Sequence, residues 1–148
     1  MTARANVVNG NLTNSKFISS KHVRLSNNAS NSRVVPVAKN AVSYAGEVGV
    51  NLRSIFNHNP KVPVIYPFVR YEYYNPQEKG EAGQTMDLRN KVSMWVAGLN
   101  WFALPNLVVK ADYTTRQIGT GKVFGTGPYT SENEFSIGLA YSGWFFKI

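Results

Sequence analysis

The chain has 148 residues, of which 43% are hydrophobic and 13% aromatic, a length for one domain and a composition that excludes a disordered segment. It has no cysteine, which excludes disulfides and thiolate metal sites, and no window approaches the roughly 18–20 continuous apolar residues of a membrane-crossing helix. The net charge of +8 is unevenly spread: Arg4, Lys16, Lys21, Arg24, Arg33 and Lys39 all precede the first acid, Glu47, as in a solvated basic loop or a surface that attracts anionic solutes, lipid headgroups or nucleic acid.

Taken in chain order, six segments alternate with a period of two, which predicts six β-strands. Residues 3–12 oppose Val8, Gly10 and Leu12 to Val7, Asn9 and Asn11. Residues 13–41 then read as a long loop containing the Asn-rich stretch 27–31. Residues 42–52 set Val42, Tyr44, Gly46, Val48, Val50 and Leu52 against Ser43, Ala45, Glu47, Gly49 and Asn51. In 64–74, Ile65, Pro67, Val69, Tyr71 and Tyr73 oppose Tyr66, Phe68, Arg70, Glu72 and Tyr74, with both charges on one side. In 91–102, Ser93, Trp95, Ala97, Leu99 and Trp101 oppose Met94, Val96, Gly98, Asn100 and Phe102. Residues 107–116 divide Leu107, Val109, Ala111 and Tyr113 from Val108, Lys110, Asp112, Thr114 and Arg116. The last segment, 134–148, places Phe135, Ile137, Leu139, Tyr141, Gly143 and Phe145 opposite Glu134, Ser136, Gly138, Ala140 and Ser142.

One face of these segments is mostly apolar with aromatics near the ends, and the other is small or charged. A strand between lipid and an aqueous lumen needs that division. The connections 13–41, 53–63, 75–90, 103–106 and 117–133 run long and short in turn, as the outer loops and periplasmic turns of transmembrane barrels do, although 53–63 is longer than a periplasmic turn requires. The expected fold class is therefore all-β: an antiparallel up-and-down meander of about six strands, part of a transmembrane β-barrel. Eight strands is about the smallest number in single-chain bacterial barrels. Residues 1–148 are accordingly predicted to be one incomplete barrel segment that relies on further strands, missing N-terminal ones first, with several copies in one barrel as the alternative. Residues 1–6 have no leader-like apolar run, so Met1 is expected to lie inside a longer protein or to follow a removed leader.

On the lumenal side the expected charges are Glu47, Arg70, Glu72, Lys110, Asp112 and Arg116. Shifting the 53–63 turn by one residue places Glu47 opposite Arg70 as a cross-strand ion pair. Arg70, Lys110 and Arg116 read as part of an anion track, and Glu47, Glu72 and Asp112 as the acids that pair with it in a charged ladder. Tyr71, Tyr73, Trp95, Trp101, Tyr113 and Tyr141 read as a membrane girdle. No enzyme is predicted. His22 and His58 lie in separate loops without metal-ligand spacing, no Gly-x-Ser-x-Gly elbow is present, and Gly119–Gly127 lacks the order of a phosphate-binding loop. No cofactor or metal is expected.

The runs Tyr66-Pro-Phe-Val-Arg-Tyr-Glu-Tyr-Tyr74, Ala97-Gly-Leu-Asn-Trp101, Leu104-Pro-Asn-Leu107 into Val108-Val-Lys-Ala-Asp-Tyr113, and Ser142-Gly-Trp-Phe-Phe-Lys147 together resemble the C-terminal part of bacterial outer-membrane porins. The nearest likeness is to the phosphate-selective porin-like group of Bacteroidetes-type bacteria, over residues 40–148. That resemblance implies passive transport in the outer membrane of a Gram-negative bacterium through a lumen that mildly favours anions. It implies outer-membrane lipid and small anionic solutes as partners, allows a homotrimer, and involves no nucleic acid. It also implies a C-terminal assembly signal, here Ser136, Gly138, Tyr141 and Phe145, with Gly143 where an aromatic is expected and Lys147-Ile148 after the Phe pair. Two readings compete. A soluble β-barrel or β-sandwich binding module, for anionic ligands or nucleic acid, would bury the apolar face in a core. A nucleic-acid surface would interleave aromatics with basic residues, as Tyr66, Phe68, Arg70 and Tyr74 do on one strand.

Overall fold

The computed structural model describes residues 1–21, 36–56, 59–81, 86, 88–119 and 129–142. The alternating segments form β1 (Thr2–Asn11), β2 (Asn40–Gly49), β3 (Val64–Lys79), β4 (Val92–Leu104), β5 (Leu107–Gly119) and β6 (Tyr129–Tyr141). They make one six-stranded sheet in sequence order, each strand antiparallel to the next. The fold is thus an all-β up-and-down meander. β1 and β6 are its two edges and do not pair with each other, so the sheet is open and compatible with part of a barrel.

Strand existence and order follow the period of two; the boundaries differ in a consistent way. β3 runs on to Lys79, β5 to Gly119, and β6 begins at Tyr129. These extensions all lie at the end of the sheet that carries the long connections. Polar, Gly-poor stretches there continue the ladder after the apolar alternation has stopped, because a ladder needs backbone partners and not apolar side chains. At about 3.3 Å per residue, a 13-residue strand such as β4 is roughly 43 Å long, well beyond the ~25 Å apolar band of a transmembrane barrel even when tilted.

Connection lengths only partly alternate. Two residues, Pro105 and Asn106, turn β4 into β5, whereas residues 50–63 between β2 and β3 outnumber residues 80–91 on the opposite side. The 50–63 segment is folded on itself. The Asn51 side chain accepts from Arg53 N (3.0 Å) and caps the helical turn Leu52–Ile55, while its Nδ2 donates to Tyr66 Oη (3.0 Å). Arg53 Nε donates to Val62 O (2.7 Å). Within the long 12–39 connection, residues 15–21 are helical. Ser19 Oγ holds that turn, donating to Ser15 O (2.7 Å) and accepting from Val37 N (2.9 Å).

The first strand is out of phase with the sequence expectation. Val7 lies opposite Tyr44 and Val8 opposite Ser43, so the odd residues of β1 join the apolar face and the even ones, including Arg4, the charged face. β1 has too few large side chains for its own alternation to specify phase; the ladder with β2 does.

In the connection from β3 to β4, at the long-connection end, Leu88–Asn90 forms a 3-10 turn against Gly119 of β5. Gly119 N donates to Lys91 O (2.8 Å) and Lys91 N to Leu88 O (3.0 Å). A Cβ on Gly119 would fall onto the Leu88 carbonyl, and a backbone atom has no rotamer by which to move aside. Gly119→Ala is expected to push this turn off β5 and lower stability by about 1–3 kcal/mol. The check is a urea titration of the detergent-folded chain, and an unchanged midpoint would refute the expectation.

The sheet has almost no apolar core. Among the described residues only Val92 and Val96 are buried apolar side chains. Along β4 the large odd residues are the exposed ones: Trp95 is 55% exposed while Val96 is 3%. In β2, Tyr44, Gly46 and Val48 are exposed while Ala45, Glu47 and Gly49 are partly covered. A soluble sheet that buries one face shows the reverse.

Candidate functional site

Register decides which side chains share a face. From Val64 to Tyr74 of β3 and along the strands beside it, the ladder groups the charged residues Arg4, Glu47, Arg70, Glu72, Lys110, Asp112, Arg116, Glu132 and Glu134 on one side. The opposite side of the same rows has none. It carries Val48, Val69, Ala97, Tyr113 and Phe135 in one row, and Pro67, Leu99, Ala111 and Ile137 in the next. The third row is Ile65, Trp101, Val109 and Leu139, with Leu139 74% exposed.

On the charged side a groove of about 500 Å³ is lined by Thr2, Arg4, Glu47, Gly49, Tyr66, Phe68, Arg70, Val96, Asn100, Phe102, Lys110 and Asp112. Five of the six strands contribute to it. Nearer the long-connection end, a second hollow of about 320 Å³ lies among Met94, Thr114, Arg116, Glu132, Asn133 and Glu134. Three cations and two acids line the first, one cation and two acids the second, so positive charge predominates in only one of them.

The expected lumenal set is therefore together on one face, with three differences in its pairing. Glu47 is opposite Arg70, as the shifted turn required, but no ion pair joins them. Arg70 instead turns along its own strand, with Nε 3.0 Å from Glu72 Oε1. Directly opposed Cβ atoms are about 5 Å apart, closer than an extended arginine reaches comfortably, whereas same-face neighbours two residues on lie about 7 Å away. The contact is ionic, not a well-aligned hydrogen bond, and Arg70 Nε is buried without a hydrogen-bond partner. Asp112 likewise forms no ion pair among the described residues. Arg116 is committed elsewhere: its Nε donates to Glu132 Oε2 (3.1 Å) and its Nη2 to the same oxygen.

Sequence reasoning missed two participants. Arg4 was hidden by the phase of β1, and Glu132 by starting β6 at residue 134. Tyr129–Asn133 are polar, but Glu132 is opposite to Arg116 in charge and shares its parity once the hairpin register is counted outward from Tyr113 opposite Phe135. Arg4 and Lys110 have no ion-pair partner among the described residues.

The expected girdle residues all lie on the apolar side. At the long-connection end Tyr44 stacks on Tyr73 (centroids 4.8 Å, 22°), and Tyr71 contacts Trp95 (4.7 Å) and Tyr44 (6.1 Å). Lys91 Nζ sits 5.7 Å from the Tyr73 ring centroid. Trp101 and Tyr141 lie toward the other end, and Tyr113 sits apart from the ring cluster, between Ala97 and Phe135. Of the expected assembly signal, Ser136 and Gly138 fall on the charged side and Tyr141 on the apolar side; Phe145 lies outside the described residues. So do His22, His58 and the 120–128 part of the Gly-rich stretch. No group of three or more His, Cys, Asp or Glu is placed to hold a metal among the described residues.

Comparison with protein-family models, with curated proteins and with solved structures returns no match.

Proposed function

We propose that the chain forms part of the wall of an outer-membrane porin of a Gram-negative bacterium, a passive channel whose water column borders the charged face and whose lipid borders the apolar one. The observation that carries this reading is the exposure of β2 and β4, where Tyr44, Val48, Trp95, Leu99 and Trp101 on the uncharged face are exposed while Ala45, Glu47, Gly49, Val96, Gly98 and Asn100 on the charged face are buried or partly covered. In water such a sheet would expose Leu99, Trp101, Phe135, Ile137 and Leu139 as one continuous patch. Against hydrocarbon the same patch is an asset. The ring cluster at one end of it has the character of an interfacial aromatic belt.

Closure needs strands beyond these six, because an open edge in lipid leaves backbone N–H and C=O groups unsatisfied at several kcal/mol each. Arg4 and Lys110, the groove cations that no acid pairs among the described residues, support a mild preference for anionic solutes. That preference belongs to the groove and not to Arg116, whose charge Glu132 offsets.

Lipid quenching tests the reading. In a Trp144→Phe background, Trp95 and Trp101 report on the apolar face alone. Folded with vesicles of bromine-labelled phosphatidylcholine, the chain is expected to lose most of its tryptophan emission. A cysteine at Lys110, the first in the chain, is expected to stay reactive toward a membrane-impermeant thiol reagent. A monodisperse, detergent-free protein with unquenched tryptophans would sink the proposal and favour a soluble binding module.

A further inference from the structure

The charged face carries more aromatic surface than an ion path needs. The Phe68 ring lies over Gly98 and occupies the space of the missing side chain, its Cε1 2.9 Å from where a Cβ would stand. Tyr66 meets Phe102 edge to face at 5.5 Å. Phe102 remains 38% exposed, and Val96, on the same face of β4, is 3% exposed. All of them line the 500 Å³ groove. Rings that face water on the polar side of a strand gain from anything apolar that covers them, at about 25 cal/mol for each Å² removed from solvent. The groove's volume falls in the range of about 300–1,000 Å³ that accommodates organic ligands, far more than an inorganic oxyanion fills.

Charge narrows the class further. Arg4 and Lys110 have no ion-pair partners among the described residues, and both line the groove, Lys110 opposite Asn100 near the rings and Arg4 on β1 opposite Glu47. Glu47 and Asp112 stand in the same lining and oppose a second negative charge on the ligand. We propose that this groove is a binding station for organic monoanions with a ring-sized apolar body, an aromatic carboxylate being the simplest. Lys110 holds the carboxylate, Arg4 adds to the field that draws it into the groove, and Phe68 and Phe102 cover the body. The inference rests on the charged face being a water-facing pore wall, and it assigns that wall a solute class that net charge alone does not distinguish.

The probe is 4-fluorobenzoate, followed by fluorine NMR on the full chain folded in zwitterionic detergent, with empty micelles as the blank. Saturable broadening is expected, with 4-fluorobenzyl alcohol and inorganic phosphate each binding at least about tenfold more weakly, since each satisfies only half of the groove. Lys110→Gln is expected to weaken 4-fluorobenzoate roughly tenfold and leave the alcohol unchanged. Phe102→Ser is expected to weaken both, and Lys21→Gln, outside the groove, neither. Phosphate that displaces 4-fluorobenzoate at equal concentration would overturn the inference, and so would an affinity unaffected by Lys110→Gln. The phosphate competition needs no variant, so a misfolded substitution cannot rescue the idea. Tryptophan quenching by brominated lipid is independent of these titrations. Its failure removes the pore-wall reading itself, whereas quenching without carboxylate selectivity removes only the solute class.

Discussion

Arginine in place of Leu99 is expected to keep the chain out of a bilayer, while arginine at the adjacent Asn100 is expected to leave insertion intact. Leu99 is 41% exposed and lies in the row Pro67, Leu99, Ala111 and Ile137, where no polar side chain is available to a guanidinium. A cation on the lipid face near the bilayer midplane costs about 2–4 kcal/mol. Asn100 sits between Tyr66 and Lys110 and lines the groove, so its substituent meets water. Co-flotation with phosphatidylcholine vesicles, together with the urea midpoint of the inserted fraction, separates the two variants. The reverse ranking would mean that the odd residues of β4 pack in a soluble core and would end the membrane reading.

A second contrast lies between two glycines on the charged face. Gly98→Ala would bring a Cβ within 2.7 Å of both Ala111 O and Asp112 Cβ, and against the Phe68 ring. The ring can swing away; the β5 backbone cannot. A loss of about 1–3 kcal/mol is expected, the usual range for forcing extra volume into occupied space. Gly138 has nothing within 4 Å of the same position, so Gly138→Ala should change stability by no more than about 0.5 kcal/mol, or raise it slightly because glycine is a poor strand residue. Unfolding midpoints of the two variants in one detergent decide the matter, and equal losses would show that Phe68 and β5 are not held against Gly98.

The contrast between these glycines marks what the amino-acid sequence could reveal. Alternation in 3–12, 42–52, 64–74, 91–102, 107–116 and 134–148 was enough to order six strands, and in the middle four to sort Glu47, Arg70, Glu72, Lys110, Asp112 and Arg116 onto one side, since parity follows directly from the pleat. Parity says nothing about reach. Gly98 and Gly138 look alike in the chain, yet only the first is covered, because Phe68 is opposite it across the β3–β4 ladder. Arg70 was expected to face Glu47 and does, but its contact is with Glu72, a choice made by side-chain length rather than by register. Arg4 was invisible for a third reason: β1 is small and polar on both faces, so the hydrophobic pattern carries no phase there and only pairing with β2 supplies it. The groove's mixed character was partly legible, since Tyr66, Phe68 and Arg70 alternate in one strand. That Phe102, Val96 and Lys110 complete it depends on the hairpin register.

On the pore-wall reading proposed above, the two edge strands, β1 and β6, bear on how the chain would reach a membrane. The outer margins of β1 and β6 face no neighbouring strand of the sheet, in the same molecule that exposes Leu99, Ile137 and Leu139. Any encounter between copies in water satisfies both at once, and stacking of this kind is hard to reverse. On that reading the chain is expected to aggregate in water unless its edges are kept apart until neighbouring strands and lipid arrive together.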